Sequence, residues 1–422
     1  MKYKPITLAN FRKVGEVSRL SEREKWAIEV VGRVLPFRTN NYIVNELIDW
    51  ERVPDDPIFR LTFPQRGMLR EGDWARMAAG LGQGMSEGEV AEVANEIRWG
   101  LNPHPAKQLE NNLPVMDDEI VAGIQHKYRE TVLFFPKEGQ TCHAYCTFCF
   151  RWPQFTKMKE VHLGMRDVNL LIRYLQAQPE VTDLLITGGD PLIMRTKRLA
   201  AYIEPILAAK IPHLRTIRIG TKVLSFWPYR VVTDKDGEAL LRLLEKIERA
   251  GLHVAIMAHV NHPQELRTEV AKEAIARIRG TGAVIRTQAP VMRHINDEAE
   301  VWARLWREQV GLGMVPYYMF VARNTGAQNY FSVPLKECLD IYREAYRAVS
   351  GICRTVRGPI MSTNPGKVQI LDALEMGGEQ VLGLRFVQGR VAEWCQRLFF
   401  GKYGADSVWL DDLEPVGGGR FF

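Results

Sequence analysis

The feature that most constrains the fold is an alternation, from about residue 121 to about residue 350, of short apolar runs with segments of helical periodicity. Such alternation is typical of βα units that build a parallel sheet. The helical segments carry apolar stripes at i, i+3, i+4 and i+7, as at Leu240, Leu243, Leu244 and Ile247. The predicted strands are Val132–Phe135, Asp183–Thr187, Thr216–Gly220, His253–Ala258, Ala283–Gln288 and Val315–Phe320.

Six such units are too few for a closed eight-stranded barrel, so the sequence predicts an α/β protein with an incomplete (βα)6 barrel over residues 121–350. Residues 1–120 lack the alternation, and we expect a helical N-terminal extension there, with helices at Glu22–Val34 and Glu87–Arg98. Residues 351–422 are divided by glycine and proline, which predicts a short mixed C-terminal region of short strands.

Three cysteines follow the first predicted strand directly. Cys142, Cys146 and Cys149 have the spacing C-x3-C-x2-C. Three thiolates can hold a [4Fe–4S] cluster by three of its irons and leave the fourth iron open to another ligand. Two alternatives remain: three buried thiols of an ordinary core, or a zinc site, for which His143 is too close in sequence to be the fourth ligand.

Cysteine usage and charge narrow the class of protein further. Six cysteines among 422 residues, and no apolar leader after Met1, favour a reducing cytoplasm over a disulfide scaffold. No apolar run is long enough to suggest a membrane span. The net charge is +6, and the basic residues are interleaved with acidic ones, which predicts a solvated surface rather than a nucleic-acid site.

Short motifs beside the cysteines identify a family. Together with C-x3-C-x2-C, the matching stretches are Asp55-Asp-Pro-Ile58, His126-Lys-Tyr128, Thr187-Gly-Gly-Asp-Pro-Leu192, Ile217-Arg-Ile-Gly220, Asn261-His-Pro263, Asn296-Asp297, Pro316-Tyr-Tyr318 and Gly366-Lys367. From about residue 39 to about residue 368 the chain resembles the lysine 2,3-aminomutase family of radical SAM, pyridoxal-phosphate (PLP) enzymes. The resemblance implies a partial (βα)6 radical SAM barrel, a [4Fe–4S] cluster, S-adenosylmethionine (SAM) and PLP. It also implies a flavodoxin- or ferredoxin-type reductant and a homo-oligomer.

The resemblance assigns cofactor contacts to particular residues. Gly188, Gly189 and Asp190 fall where radical SAM proteins meet the methionyl amino group of SAM, and glycine suits a loop whose backbone approaches a ligand closely. His259 and Gln288 fall where family members contact the nucleoside side of SAM. For the loop the alternative is a plain βα turn, and for the other two it is a satisfied polar core residue.

Two further residues carry the chemistry that the resemblance implies. Arg151 matches the arginine that holds the substrate carboxylate, and a guanidinium fork is the natural partner of a carboxylate. Lys367 matches the lysine that forms a Schiff base with PLP, which requires an environment that favours the neutral amine. The turn before Lys367 departs from the family, because Ser-Thr-Asn-Pro replaces its glycine run, so an exposed lysine in a polar turn is the alternative.

The substrate-binding positions also depart from the lysine-specific members. Arg323 and Arg357 fall where those members have the two aspartates that bind the distal ammonium of lysine. The family's inter-subunit zinc cysteines are replaced as well, for example by Glu298. Two arginines would repel an ammonium and attract a carboxylate, so we expect a substrate with an acidic side chain, glutamate first.

The expected reaction moves the α-amino group of such an amino acid to the neighbouring β-carbon. Three alternatives stay open: a lysine 2,3-aminomutase, a radical SAM enzyme that works without PLP, and an iron–sulfur electron carrier. The first differs in substrate charge, the second in PLP absorbance, and the third in its failure to cleave SAM.

Overall fold

The computed structural model describes residues 1–422, apart from the side chain of Lys159. It is an α/β structure in which helices pack around one twelve-stranded sheet. The strands of the described residues are β1 (Pro5–Thr7), β2 (Arg38–Asn40), β3 (Val115–Met116), β4 (Glu119–Ile120), β5 (Ile124–Tyr128), β6 (Thr131–Phe134), β7 (Asp183–Ile186), β8 (Thr216–Thr221), β9 (His253–His259), β10 (Val284–Val291), β11 (Val315–Val321), β12 (Arg357–Ser362), β13 (Gly366–Met376), β14 (Glu379–Gly389), β15 (Leu398–Lys402) and β16 (Glu414–Pro415).

The α-helices of the described residues alternate with the parallel strands and also build the N-terminal extension. They are α1 (Glu22–Val34), α2 (Pro57–Thr62), α3 (Glu71–Gly82), α4 (Glu87–Gly100), α5 (Gln108–Asn111), α6 (Val168–Ala177), α7 (Thr196–Ala208), α8 (Val223–Phe226), α9 (Tyr229–Val232), α10 (Gly237–Arg249), α11 (Glu269–Gly280), α12 (Ala299–Gly311), α13 (Gln328–Phe331) and α14 (Leu335–Arg347).

The six predicted strands are β6 to β11, and they lie side by side in chain order and run parallel. Most of their ends fall within one residue of the prediction. The exception is β10, which continues to Val291 instead of ending at Gln288. The predicted parallel sheet of six βα units is therefore confirmed.

Apolar stripes explain how the helices pack on the sheet. All four leucine and isoleucine residues predicted to face the sheet from α10 are buried, and Gly251 follows that helix with a φ of +83°. A positive φ favours glycine, which suits a residue just past a helix C-terminus. Ser21 and Ser86 cap α1 and α4 with capping boxes; the bounds of α1 agree with the prediction, and α4 ends two residues later than predicted, at Gly100.

The C-terminal part of the sheet differs from the prediction of short strands. β13 and β14 each have 11 residues and form a long antiparallel hairpin beside β12. Its two-residue turn is Gly377-Gly378, with φ values of +61° and +80°. Two consecutive positive φ angles are what a tight hairpin requires, and glycine adopts them without steric cost. The sequence signal for this hairpin was therefore the Gly-Gly pair.

Parallel strands bring their carboxyl ends to one rim of the sheet, where loops carry the functional residues. The cysteine loop follows β6 and the Gly-Gly-Asp loop follows β7, so both lie on this rim. No helix among the described residues is long and apolar enough to cross a membrane. The cytoplasmic location stays a prediction.

Candidate active site

Cys142, Cys146 and Cys149 line one cavity of about 140 Å³ at the carboxyl-end rim. We refer to it as the cysteine cavity. Among the described residues, no three histidine, cysteine or carboxylate groups lie close enough together to hold a single metal ion. A [4Fe–4S] cluster instead takes one thiolate at each of three separate irons. The three thiols border one cavity, as the ligands of one cluster must, and the cluster assignment stays a prediction.

The environment of the thiols favours their protonated form as long as no metal is bound. Burial raises the pKa of all three, that of Cys149 to about 11, and the carboxylate of Asp190 adds to the effect on Cys142. A buried thiolate is stable only beside positive charge, and coordination to a metal deprotonates a thiol outright. Iron at this position would supply that charge.

The Gly-Gly-Asp loop lies against the cysteine loop. A Cβ at Gly189 would collide with the backbone of Thr141, and one at Gly188 would collide with the side chain of Gln140. Close packing of two protein loops is thus sufficient reason for the glycines, in addition to any approach to a ligand. Both residues line the cysteine cavity.

Asp190 is buried and already engaged within the protein. Its carboxylate accepts hydrogen bonds from the Thr221 hydroxyl at 2.7 and 2.8 Å and from the backbone N–H groups of Lys222 and Leu192 at 2.9 and 3.0 Å. Burial raises its pKa in spite of these donors. The side chain therefore joins the loop after β7 to the end of β8, and its place beside the cavity lets it order the neighbouring glycines.

His259 and Gln288 end up side by side, because they are paired in the register of β9 and β10. Both line the cysteine cavity, and both also line an adjoining, mainly apolar cavity of about 170 Å³. Burial holds the pKa of His259 well below its usual value, with the charge of Lys222 as a second cause. A neutral imidazole and an amide suit an uncharged polar ligand such as a nucleoside.

Lys222 is a residue of the cysteine cavity that sequence reasoning missed. Its ammonium forms a buried ion pair with Glu265 and donates to Asn261 at 2.9 Å and to the His259 carbonyl at 3.2 Å. It directly follows β8, and a polar residue at the carboxyl end of a parallel strand is the signal that could have identified it.

The N-terminal extension holds the cysteine loop from outside. The guanidinium of Arg38 in β2 donates to the Thr141 hydroxyl at 2.8 Å and to the Cys142 carbonyl at 3.2 Å. The hydroxyl of Tyr3 donates to the His143 carbonyl at 2.7 Å. These contacts span more than 100 residues of sequence, which is why no local pattern predicted them.

A second cavity, of about 200 Å³, contains Lys367, and we refer to it as the lysine cavity. Strands from β5 to β14 contribute to its lining, so the sheet curves around it. None of the described residues that line it is a carboxylate. Its cationic lining residues are Lys127, Arg151, Arg218, Arg323 and Lys367.

Lys367 lies at the start of β13, and its ammonium donates to the side-chain oxygen of Gln388 at 2.6 Å. Burial, with the charges of Arg218 and Arg357 as further causes, lowers its pKa to about 7. A substantial fraction of the amine is therefore neutral near neutral pH, which is the form that attacks a carbonyl carbon. The role of Lys367 as a Schiff-base lysine stays a prediction.

Lys127 is a second buried lysine in the cavity. It belongs to the His126-Lys-Tyr128 motif, and burial, with the charge of Arg323 next, lowers its pKa to about 6. Its ammonium donates to the carbonyl of Thr363. Lys127 therefore supports the turn that leads into Lys367, a role that the motif alone did not reveal.

The unusual Ser-Thr-Asn-Pro turn is held firmly. The Thr363 hydroxyl and N–H donate to the Gly366 carbonyl at 2.8 and 2.9 Å, and Arg390 donates to the Asn364 carbonyl at 2.9 Å. A Cβ at Gly366 would collide with the carbonyl of Gln388 in β14. Hydrogen bonds to specific partners thus fix this turn and the backbone position of Lys367.

Arg151 and Arg323 flank the ring of Phe150, with their guanidinium carbons 5.0 and 4.9 Å from its centroid. Burial lowers the pKa of each to about 10, and the charge of Arg323 contributes to the effect on Arg151. Among the described residues no carboxylate forms an ion pair with either one. The buried Nε of Arg323 has no hydrogen-bond partner, although its terminal nitrogen donates to the Ser362 carbonyl at 3.1 Å.

Arg357 is not among the described residues that line the lysine cavity. Its guanidinium stacks 4.5 Å from the ring centroids of Tyr317 and Tyr318. It lowers the pKa of Lys367 from this position. Of the two predicted substrate arginines, Arg323 therefore lines the lysine cavity, whereas Arg357 stacks on the two tyrosines and is not part of the lining.

The cysteine and lysine cavities share a wall. Phe150, Arg151, Thr187, Gly220, Met257 and Gln288 line both. Arg151 stands at this boundary because it follows Cys149 by two residues. A group formed beside the thiols would thus lie next to a molecule bound beside Lys367.

Sequence comparison with known proteins identifies the family. The chain is 31% identical over 401 residues to the Aquifex aeolicus (strain VF5) protein named "Putative L-lysine 2,3-aminomutase", covering 95% of this chain and 93% of that one. The chain belongs to the lysine 2,3-aminomutase family. It is therefore an enzyme of the isomerase class, a radical SAM aminomutase.

Other relatives match over shorter segments. The L-lysine 2,3-aminomutase of Escherichia coli (strain K12) is 30% identical over 232 residues, which is 55% of this chain and 64% of the relative. That of Fusobacterium nucleatum is 30% identical over 225 residues, covering 53% and 49% of the two chains. No protein-family model matches the sequence.

Solved structures match more weakly. Streptococcus suis SuiB bound to the precursor peptide SuiA gives a TM-score of 0.36 at 13% identity, covering 61% of this chain and 51% of that chain. SuiB bound to S-adenosylmethionine gives 0.35 at 13% identity, covering 65% and 56%. Similarity at this level bears on neither substrate nor mechanism.

Proposed function

We propose that this aminomutase uses SAM, a [4Fe–4S] cluster and PLP to move the α-amino group of an acidic amino acid, glutamate first, to the β-carbon. The observation that carries the proposal is the lining of the lysine cavity, where the buried arginines Arg151 and Arg323 have no ion-pair partner and no carboxylate is among the described lining residues. Such a cavity favours a ligand with several negative charges. A PLP phosphate and a dicarboxylic amino acid together provide them.

Arg151 and Arg323 are the proposed partners of the two substrate carboxylates. Arg151, at the boundary of the two cavities, would hold the α-carboxylate, and Arg323 would hold the distal carboxylate. The free Nε of Arg323 supports this assignment, because a buried donor without a partner costs about 1–3 kcal/mol that a bound carboxylate would recover. Bidentate geometry would use both nitrogens on one edge of the guanidinium.

Lysine is the alternative substrate, and the names of the relatives favour it. Its distal ammonium would enter a cavity where burial and neighbouring cations already lower the pKa of Lys127 and Lys367. A further ammonium would meet the same repulsion. The charge of the cavity therefore supports glutamate or aspartate over lysine.

The residues present fit PLP. Lys367 would hold its aldehyde carbon, and Lys127 is a basic group available to its phosphate, whereas Arg218 is paired with Asp183. When bound, PLP supplies the π system that allows an amino group to migrate between neighbouring carbons. Tyr128 and Tyr318, whose ring centroids lie 5.2 and 4.9 Å from the Lys367 nitrogen, would exclude water on either side of that carbon.

The residues of the cysteine cavity fit the cluster and SAM. The three thiols would hold the irons, the backbone of Gly188 and Gly189 would border the methionyl end, and His259 and Gln288 would contact the nucleoside. A reduced cluster supplies the electron that cleaves SAM. The shared wall would then keep the reactive group within reach of a substrate beside Lys367 and away from bulk water.

The lining of the lysine cavity also supports a proposal about the shape of the sheet. We propose a partial (βα)6 barrel, since β6 to β11 all contribute residues to the lysine cavity. The divisions 1–120, 121–350 and 351–422, the homo-oligomer and the flavodoxin- or ferredoxin-type reductant remain predictions.

A substrate panel tests the proposal. Reconstituted protein is incubated anaerobically with SAM, PLP, dithionite and individual amino acids, and β-amino products are identified by mass spectrometry and NMR. We expect β-glutamate as the main product. Products from lysine alone would support the alternative, and turnover without PLP would contradict the cofactor assignment.

A further inference from the structure

A broad groove outside the two cavities runs between α7 and α10 and has a volume of about 860 Å³. We refer to it as the basic groove. Its lining contains six cationic side chains and three carboxylates. Arg195, Lys197, Lys235 and Arg242 are exposed, whereas Lys246 pairs with Glu204. The excess of positive charge is therefore carried by side chains that face solvent.

The basic groove leads to the cysteine loop. His143, between Cys142 and Cys146, lines the groove and also lines the cysteine cavity, and no other residue borders both among those described. Its side chain is only 7% exposed, its Nδ1 has no hydrogen-bond partner, and its ring stacks on Trp227 at a centroid distance of 6.4 Å. One imidazole thus separates the groove from the thiols.

This position has a consequence for electron supply. A cluster held by the three thiols must receive electrons from outside, and a donor reaches it most directly where little protein intervenes. A buried imidazole with a free ring nitrogen, stacked on an indole, is a polarisable contact between the groove and the cluster loop.

We propose that the basic groove is the docking surface for a small acidic electron-transfer protein that reduces the cluster. The proposal rests on the proposed function in taking the three thiols as cluster ligands. One electron passes from the reduced donor, which is oxidised by one electron, to the cluster, which is reduced by one; no bond forms or breaks in the transfer. Exposed cations steer an acidic partner and orient it, and redox partners typically form small, salt-sensitive interfaces.

Charge reversal on the groove tests the proposal through binding. The double variant R195E/R242E changes two exposed cations, one directly before α7 and one in α10, and R23E/R70E makes the same charge change outside the groove, again at exposed positions. Binding of oxidised flavodoxin to the full chain is measured by calorimetry at about 20 mM and about 300 mM salt. We expect R195E/R242E to weaken low-salt binding at least about tenfold, whereas R23E/R70E changes it less than about twofold.

The rate of SAM cleavage and the oligomeric state provide two further tests. SAM cleavage driven by reduced flavodoxin should fall at least about tenfold only in R195E/R242E, while dithionite-driven cleavage stays unchanged. Equal loss in both double variants, no loss in either, or a changed oligomeric state of R195E/R242E in size-exclusion chromatography would overturn the docking proposal. Failure of the wild-type protein to cleave SAM with dithionite would instead contradict the proposed function and leave the binding comparison intact.

Discussion

Lys367 and Lys127 are two buried lysines of one cavity, and their contacts give them different roles. Lys127 donates to the carbonyl of Thr363 and so fixes the turn, whereas Lys367 donates only to the amide oxygen of Gln388. A side-chain amide can rotate away from an amine more easily than a backbone carbonyl can move. We therefore predict that Lys367, and not Lys127, reacts with a carbonyl cofactor.

Borohydride trapping tests this assignment. Protein incubated with PLP and then reduced should carry the label on Lys367. The yield should rise as the pH increases from about 6 to about 8, because the neutral amine accumulates above its pKa of about 7. Peptide mapping by mass spectrometry locates the label. Lys367→Ala should abolish labelling and Lys127→Ala should retain it, so a label found on Lys127 would reverse the assignment.

The three thiols lead to a prediction about iron. Cys142→Ala, Cys146→Ala and Cys149→Ala should each lose most of the about four irons expected per chain and all reductive SAM cleavage, because each thiolate holds a different iron. Iron analysis and the visible absorbance of the cluster measure the first effect. The exposed Cys395→Ala is the matched control and should keep both properties. Full SAM cleavage in any of the three variants would remove that cysteine from the ligand set.

Arg323 is the residue on which substrate choice depends most. Removing one member of a buried charge pair costs about 2–5 kcal/mol, so Arg323→Ala should lower kcat/KM for glutamate about a hundredfold or more. Arg357→Ala, which alters an arginine outside the lining of the lysine cavity, should have a much smaller effect on the same ratio. Steady-state kinetics under anaerobic conditions compare the two variants. Similar losses in both would show that the position of Arg323 has no special part in recognition.

At the scale of elements, the loops at the rim depend on close backbone packing. Gly189→Ala would drive a methyl group into the backbone of Thr141, beside the first cluster cysteine. Overpacking of this kind costs about 1–3 kcal/mol, so we expect a lower melting temperature and reduced iron incorporation. Gly220→Ala is the control for iron content, since its methyl group would meet only ordinary contacts at 3.4 Å or more. Normal iron content in Gly189→Ala would show that the two loops move independently.

The elements also show what sequence patterns can and cannot predict. β6 to β11 were predictable because each is a short apolar run between amphipathic helices, and this pattern reflects burial on both faces. The length of the β13–β14 hairpin was not predicted, although Gly377-Gly378 marked the turn, because glycine and proline elsewhere in residues 351–422 suggested shorter strands. The edge strand β5 was missed for a similar reason, since Gln125, His126 and Lys127 interrupt its apolar character.

Sequence patterns likewise predicted some residues of the site and missed others. Motif spacing predicted the cysteines, the glycine loop and Lys367, because these residues are close in sequence or lie at the ends of recognisable strands. Lys127, Lys222 and Arg38 were missed as site residues, because their partners come from segments that only the folded chain brings together. The motif residues Asn261 and Asn296 have a structural role of this kind: the amide of Asn296 donates to the Asn261 carbonyl at 2.9 Å and so joins two rim loops.

At the scale of the whole molecule, the charge of the lysine cavity suggests a substrate other than the lysine that the relatives' names print. The lysine cavity is lined by basic side chains with no carboxylate among its described lining residues, and we predict that its arginines, Arg151 and Arg323, bind the substrate carboxylates. The net charge of +6 contributes little to this difference, because most surface cations are solvated or paired. Substrate preference is therefore expected to follow from the local charge of the buried cavity.

A competition assay measures that preference directly. Equimolar glutamate and lysine are incubated together with the reduced, reconstituted enzyme under anaerobic conditions, and the ratio of their β-amino products gives the ratio of kcat/KM. We predict that the glutamate product exceeds the lysine product by at least about tenfold, a difference of about 1.4 kcal/mol in transition-state binding. A lysine product in excess would contradict the assignment of an acidic substrate.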